Sequence, residues 1–127
     1  MRKILIVEDE KELLKVLEKF LAKKGFEVLT ASGGDQALEM IKSAENIDFI
    51  ILDIKMPKVS GFDVLKEIRK FKKDIPAVFL TGAINKTKYS DVVKSLGCSI
   101  DDIIEKPVDL YKFLDIIERK LKGQTFL

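Results

Sequence analysis

The sequence predicts a doubly wound α/β fold: one domain over residues 1–127, with a five-stranded parallel sheet of order 2-1-3-4-5 and five helices. Three observations lead there. Short, continuously apolar runs such as Ile4-Leu5-Ile6-Val7 and Phe49-Ile50-Ile51-Leu52 are what strands buried on both faces require. Runs of this kind alternate with stretches of helical period, which implies parallel strands joined by right-handed crossovers. Four of the runs lead directly into polar residues, Glu8-Asp9, Asp53, Thr81 and Lys106, which parallel strands would bring to one edge of the sheet.

Lys3 to Val7 is the first strand. Leu13, Leu14, Leu17, Phe20 and Leu21 then recur at helical spacing, and Gly25 supplies a C-terminal stop. Glu27 to Ala31 is the second strand, and Gly33-Gly34 introduces a helix using Ala37, Leu38 and Ile41. Phe49 to Asp53 is the third strand. Met56-Pro57 and Ser60-Gly61 mark a loop, after which Phe62, Leu65 and Ile68 begin a helical stripe. Ile75 to Thr81, with Pro76 near its start, gives the fourth strand, and Tyr89, Val92, Val93 and Leu96 the fourth helix. Asp102 to Glu105 carries the weakest strand signal. Pro107 follows, then Asp109 as the N-cap of a last helix with Leu110, Phe113, Leu114, Ile117 and Leu121 on one face.

Composition narrows the function. With 46% apolar and 35% charged residues, a chain of 127 residues builds one core without disulfides. The single Cys98 cannot pair within the chain and reads as a small buried residue rather than a reactive thiol. No charged-then-apolar leader opens the sequence, so a reducing cytoplasm is the expected compartment. The 23 basic and 21 acidic residues leave a net charge of +2, without the clustering that direct nucleic-acid binding needs. The longest apolar stretch is far short of a membrane span.

In a sheet of this order, ligands bind beyond the carboxyl ends of the strands where the order reverses, between the first and third strands. Those strands end in Glu8-Asp9 and Asp53. Carboxylates that close repel one another, and a cation relieves the repulsion. The chain has no histidine, and all-oxygen ligation favours Mg²⁺. A carboxylate can also attack phosphorus to form an aspartyl phosphate if positive charge stabilises the transferring group, a task suited to Lys106 and the metal. Thr81 would donate a hydrogen bond to a phosphoryl oxygen.

These residues, with Met56-Pro57 and Gly61 after Asp53, Gly82 after Thr81 and Pro107 after Lys106, resemble the receiver domains of two-component response regulators, the family of the chemotaxis receiver. The resemblance covers essentially the whole chain. It implies Asp53 as phosphoacceptor, Asp9 as a direct Mg²⁺ ligand, Glu8 holding the metal through water, and the Lys55 backbone carbonyl as the remaining protein ligand. It further implies that Thr81 and Lys106 contact the phosphoryl group and that Lys106-Pro107 is a cis peptide, a state that X-Pro bonds adopt only about 5% of the time. The implied partners are a sensor histidine kinase or phosphotransfer protein and a downstream protein target, with the chain a monomer or weak dimer. No enzyme activity is expected beyond its own phosphoryl transfer and a slow self-dephosphorylation.

Two features depart from the family. Receivers usually carry Tyr or Phe three residues before the lysine, where this chain has Ile103, and the region before the fifth strand is lengthened by Ser99-Ile100. The readout is expected instead in the loop from Gly82 to Asn85 and the helix carrying Tyr89 and Val93. Lys55, two residues after Asp53, is placed to shield an acyl phosphate, while Ala83, two after Thr81, offers nothing to orient water. Only Gly123 to Leu127 follow the last helix, which fits either a stand-alone switch or relay, or a piece of a longer regulator.

Three other functions compete with this reading. A Mg²⁺-dependent phosphatase wants a second acid two residues after the nucleophile, where Lys55 stands. A flavodoxin-like cofactor binder wants a hydroxyl- and Gly-rich phosphate loop after the first strand, where the chain has Glu8-Asp9-Glu10. The strongest rival is a receiver-like interaction module that is not phosphorylated.

Overall fold

The computed structural model describes residues 2–43, 46–71, 74–82 and 85–123. Five strands, β1 (Lys3–Val7), β2 (Glu27–Ala31), β3 (Phe49–Asp53), β4 (Ala77–Thr81) and β5 (Ile103–Glu105), form one parallel sheet of order β2-β1-β3-β4-β5. The predicted sheet is the observed one. Helices α1 (Lys11–Lys23), α2 (Gly34–Ser43), α3 (Gly61–Arg69), α4 (Ser90–Ser95) and α5 (Leu110–Leu121) connect and cover it.

Strand period 2 divides the core between the two faces. Ile4, Ile6, Phe49, Ile51, Val78 and Leu80 pack with Leu17 and Leu21 of α1 and Phe113 and Ile117 of α5. Leu5, Val7, Ile50, Leu52 and Phe79 pack on the other side with Ala37 and Ile41 of α2, Val64 and Leu65 of α3, and Val93 of α4. Each fully buried Leu, Ile or Phe contributes about 1.5–3 kcal/mol, which is why continuous apolar runs are needed in strands covered on both faces.

Helix ends follow local chemistry. At the end of α1, Gly25 takes φ +95° and donates its N–H to the Ala22 carbonyl, while Phe26 N–H reaches the Leu21 carbonyl. Asp109 caps α5 as predicted, its carboxylate accepting the N–H groups of Tyr111 and Lys112.

Three boundaries differ from the prediction. Strand β4 starts at Ala77 rather than Ile75, because Pro76 has no N–H to offer and the Ile75 carbonyl accepts the Arg69 guanidinium. Strand β5 starts at Ile103 rather than Asp102: the Asp102 carboxylate turns back to accept Ser99 N–H at 2.9 Å and closes a 3-10 turn over Ile100–Asp102. Helix α4 starts at Ser90, preceded by a 3-10 turn over Lys86–Tyr89 that Asn85 caps through Thr87 N–H.

Candidate functional site

The carboxyl ends of β1, β3, β4 and β5 lie side by side, and the backbone holds them there. Glu8 N–H donates to the Ala31 carbonyl at 3.1 Å, Ile54 N–H to Leu80 at 2.9 Å, and Lys106 N–H to Thr81 at 2.8 Å. Each bond extends a strand pairing one step past its end, so the residues that follow the strands are as fixed as the strands. Register sets Asp53 opposite Leu80, placing Thr81 one residue further out on the neighbouring strand.

Glu8 is fully buried, Asp53 is 4% exposed and Thr81 1%. Asp9 is exposed at the mouth. One oxygen from each of Glu8, Asp9 and Asp53 lies within 4.8 Å of the others, which makes these three a set able to hold a metal ion. The Lys106 ammonium sits among them, 3.1 Å from Glu8 Oε1 and 3.3 Å from Asp53 Oδ2. Its peptide to Pro107 is cis, as the resemblance implies.

Glu8 Oε2 accepts the Glu10 N–H at 3.1 Å. Glu8 Oε1 lies beside Lys106 without an aligned hydrogen bond, a buried oxygen left short of a partner. Burial, reinforced by the neighbouring Asp53 carboxyl, pushes the Glu8 pKa up from 4.5 to about 7. Burial also raises Asp53, with Glu8 and Lys106 pulling it back. Desolvation would lower Lys106, but the Glu8 and Asp53 carboxylates outweigh it and hold the ammonium above its ordinary range. A buried Glu8 oxygen short of a donor, in an all-oxygen cluster with Asp9 and Asp53, fits a hard divalent cation.

The loop after β3 is locked to the site. Gly61 N–H donates to the Ile54 carbonyl at 2.9 Å, and a Cβ on Gly61 would overlap the Asp53 carbonyl oxygen. Only glycine fits there. Lys55 is exposed in this loop, and Lys58 takes φ +74°, a left-handed conformation uncommon outside glycine and asparagine. Ser60 and Asp63 close a reciprocal capping box that starts α3.

Sequence reasoning named six site residues: Glu8, Asp9, Asp53, Lys55, Thr81 and Lys106. Distances unite Glu8, Asp9, Asp53 and Lys106, and register sets Thr81 on the strand beside Asp53, while Lys55 is exposed in the loop two residues after Asp53. It assigned Glu10 no role, yet the Glu10 carboxylate stands 3.9 Å from Lys106. Its position directly after Glu8-Asp9 was the available signal.

Elsewhere, Ile103, at the position where the family usually has an aromatic residue, is buried in the core. Phe79 stands directly opposite it on β4, and a chain of ring contacts runs outward from there, Phe62 on Phe79 at 4.8 Å and Tyr89 on Phe62 at 5.1 Å. Lys86 Nζ bonds the Ile103 carbonyl at 3.2 Å. Of the expected readout loop, Ala83 and Ile84 lie outside the described residues. Cys98 is half-buried, and burial together with Asp102 pushes its thiol up, away from reactivity.

Comparison with known proteins agrees with this geometry. The response regulator receiver domain family matches residues 4–118. The response regulator SaeR of Staphylococcus epidermidis is 38% identical over 107 residues, covering 84% of this chain and 44% of that protein. SaeR of Staphylococcus aureus is 35% identical over 107 residues, covering 84% and 45%. The chain thus spans less than half the length of these curated relatives. Among solved structures, a CheY-like receiver domain protein from Methanospirillum hungatei superposes with a TM-score of 0.88 at 28% identity, covering 97% of this chain and 95% of that one. The response regulator TrrA of Thermotoga maritima, solved in complex with Mg²⁺-BeF, has a TM-score of 0.77 at 35% identity, covering 95% and 99%. Among the described residues, no helix is long and apolar enough to cross a membrane.

Proposed function

The chain belongs to the response regulator receiver domain family, and from that premise we propose that it is a phosphorylation-activated switch with Asp53 as its phosphoacceptor. The observation that carries the reading is the Lys106 ammonium, 3.3 Å from a buried Asp53 carboxylate, with Glu8 and Asp9 beside it. A buried acid facing a fixed cation and a metal-ready cluster is suited to attack on phosphorus, and it has no evident structural task.

In the proposed reaction an Asp53 oxygen attacks the phosphorus of a phosphohistidine on a sensor kinase or phosphotransfer protein. The P–O bond forms as the P–N bond breaks, and the electron pair returns to the imidazole. Lys106 offers positive charge to the phosphoryl oxygens, and the Thr81 hydroxyl donates a hydrogen bond. Glu8, Asp9, Asp53 and the Lys55 carbonyl are the groups that would hold Mg²⁺. Bound there, Mg²⁺ neutralises the carboxylates and the charge on the transferring group.

The chain performs no other reaction in this reading: it takes up the phosphoryl group and slowly loses it in the cytoplasm, as a single domain acting as a monomer or weak dimer. Lys55, exposed beside Asp53, shields the acyl phosphate from water, so Lys55→Asn shortens the lifetime of the phosphorylated form. An unchanged lifetime removes that role. A downstream protein reads the state through the segment around Tyr89.

Incubation with acetyl phosphate and Mg²⁺ followed by intact mass tests the reading. A gain of one phosphoryl group, lost in Asp53→Asn, is the expected result. No gain in the folded wild type favours a receiver-like interaction module that is not phosphorylated.

A further inference from the structure

Lys106 is surrounded by a third carboxylate that the proposed reaction leaves unused. Glu10 Oε2 lies 3.9 Å from Lys106 Nζ, and its side chain is 62% exposed. Glu10 occupies the N-cap of α1, where an acidic side chain ordinarily accepts N–H groups of its own helix. Here it makes no such bond. Its backbone N–H is taken by Glu8, and its carboxylate leans toward the crevice. Nor does it belong to the three-carboxylate set able to hold a metal. It is therefore a negative charge at the open side of the site, beside the cation that must receive the phosphoryl group.

We infer that Glu10 is a specificity-determining residue that selects phosphoryl donors by charge, acting through Lys106. The inference rests on the proposed function. A donor whose phosphoryl oxygens approach Lys106 comes near the Glu10 carboxylate, 3.9 Å from that ammonium, and each negative charge it carries is repelled. At roughly 6 Å in a water-like dielectric, one charge pair changes the rate about threefold, so a dianion is slowed about tenfold and a monoanion about threefold. Glu10 also competes with the incoming phosphoryl oxygens for Lys106. A protein donor escapes the penalty by bringing compensating positive charge on its own surface, whereas a small free donor has none.

The test compares two small donors of different charge. Acetyl phosphate is a dianion at neutral pH: Asp53 attacks phosphorus, the P–O bond to the acetyl group breaks, and acetate leaves with the electron pair. Phosphoramidate is a monoanion whose nitrogen already carries the proton with which ammonia departs as the P–N bond breaks. Second-order rate constants are measured with Mg²⁺ for the wild type, Glu10→Gln and Glu10→Lys, at low and high ionic strength. Glu10→Gln is expected to raise the acetyl phosphate constant about tenfold and the phosphoramidate constant about threefold at low salt, and both gains shrink as salt is added. Glu10→Lys exceeds Glu10→Gln with acetyl phosphate. Equal gains for both donors, or none, overturn the inference while leaving Asp53 as the acceptor. A wild type that takes phosphoryl from neither donor overturns the proposed function and this inference together.

Discussion

The Glu8 carboxyl makes the stability of the metal-free protein depend on pH in a direction opposite to that of an ordinary paired acid. Its pKa rises from 4.5 in the unfolded chain to about 7 in the fold, chiefly through burial. The native state therefore keeps a proton that the unfolded chain has already released, and the fold binds more protons throughout that interval. Stability is intact below about pH 4.5 and falls as pH rises to about 7. At about 1.4 kcal/mol per pH unit, that interval corresponds to about 3 kcal/mol. Asp53, also raised by burial, adds to the loss with the same sign. Lys106, raised above 10.5, contributes stability that is lost only at alkaline pH, outside this window. The perturbation is Glu8→Gln, which keeps the shape of the protonated acid and cannot ionise. Urea unfolding in a chelating buffer at pH 5, 6, 7 and 8 should show the wild type losing about 3 kcal/mol while the variant loses much less. Wild-type stability that stays level or rises across this range refutes the electrostatic account of Glu8.

Three further outcomes follow from the packing. Gly61→Ala drives a Cβ into the Asp53 carbonyl oxygen and is expected to lower stability by about 1–3 kcal/mol by thermal unfolding, with slower phosphoryl uptake. Lys58→Gly relieves a left-handed φ of +74° and should raise stability by up to about 1 kcal/mol; a lower melting temperature contradicts this. Lys120→Met leaves the Asp102 carboxylate without the ammonium 2.8 Å away. Because both side chains keep some contact with water, the expected loss is about 2 kcal/mol rather than the larger value of a fully enclosed pair, read from urea midpoints.

The sheet and most of the site were legible in the sequence because their signals are local. Phe49-Ile50-Ile51-Leu52 is continuously apolar since both of its faces are covered, and the polar residue that ends it, Asp53, can only lie at the sheet edge. What escaped reading depends on side-chain partners that the apolar pattern does not reveal. The apolar run at Ile75 does not announce that its carbonyl will accept Arg69, six residues earlier, and the run at Ile103 does not announce that Asp102 will close a turn on Ser99 and pair with Lys120. The role of Glu10 was hidden for a related reason. At a helix start an acidic residue has an ordinary capping explanation, and only the placement of Lys106, nearly a hundred residues later, turns it toward the crevice. Gly61 was noted as part of a motif, but its requirement comes from the approach of a backbone atom that no spacing reveals.

The central claim is that Glu8, Asp9, Asp53 and Lys106 form one magnesium-dependent phosphoryl site in which Asp53 is the nucleophile. It is tested most directly by phosphorylating the protein, trapping the acyl phosphate by borohydride reduction and sequencing the peptides by mass spectrometry. The account predicts a single reduced residue at position 53, formed only when Mg²⁺ is present. A label at Glu8 or Asp9, or labelling that is indifferent to Mg²⁺, contradicts it.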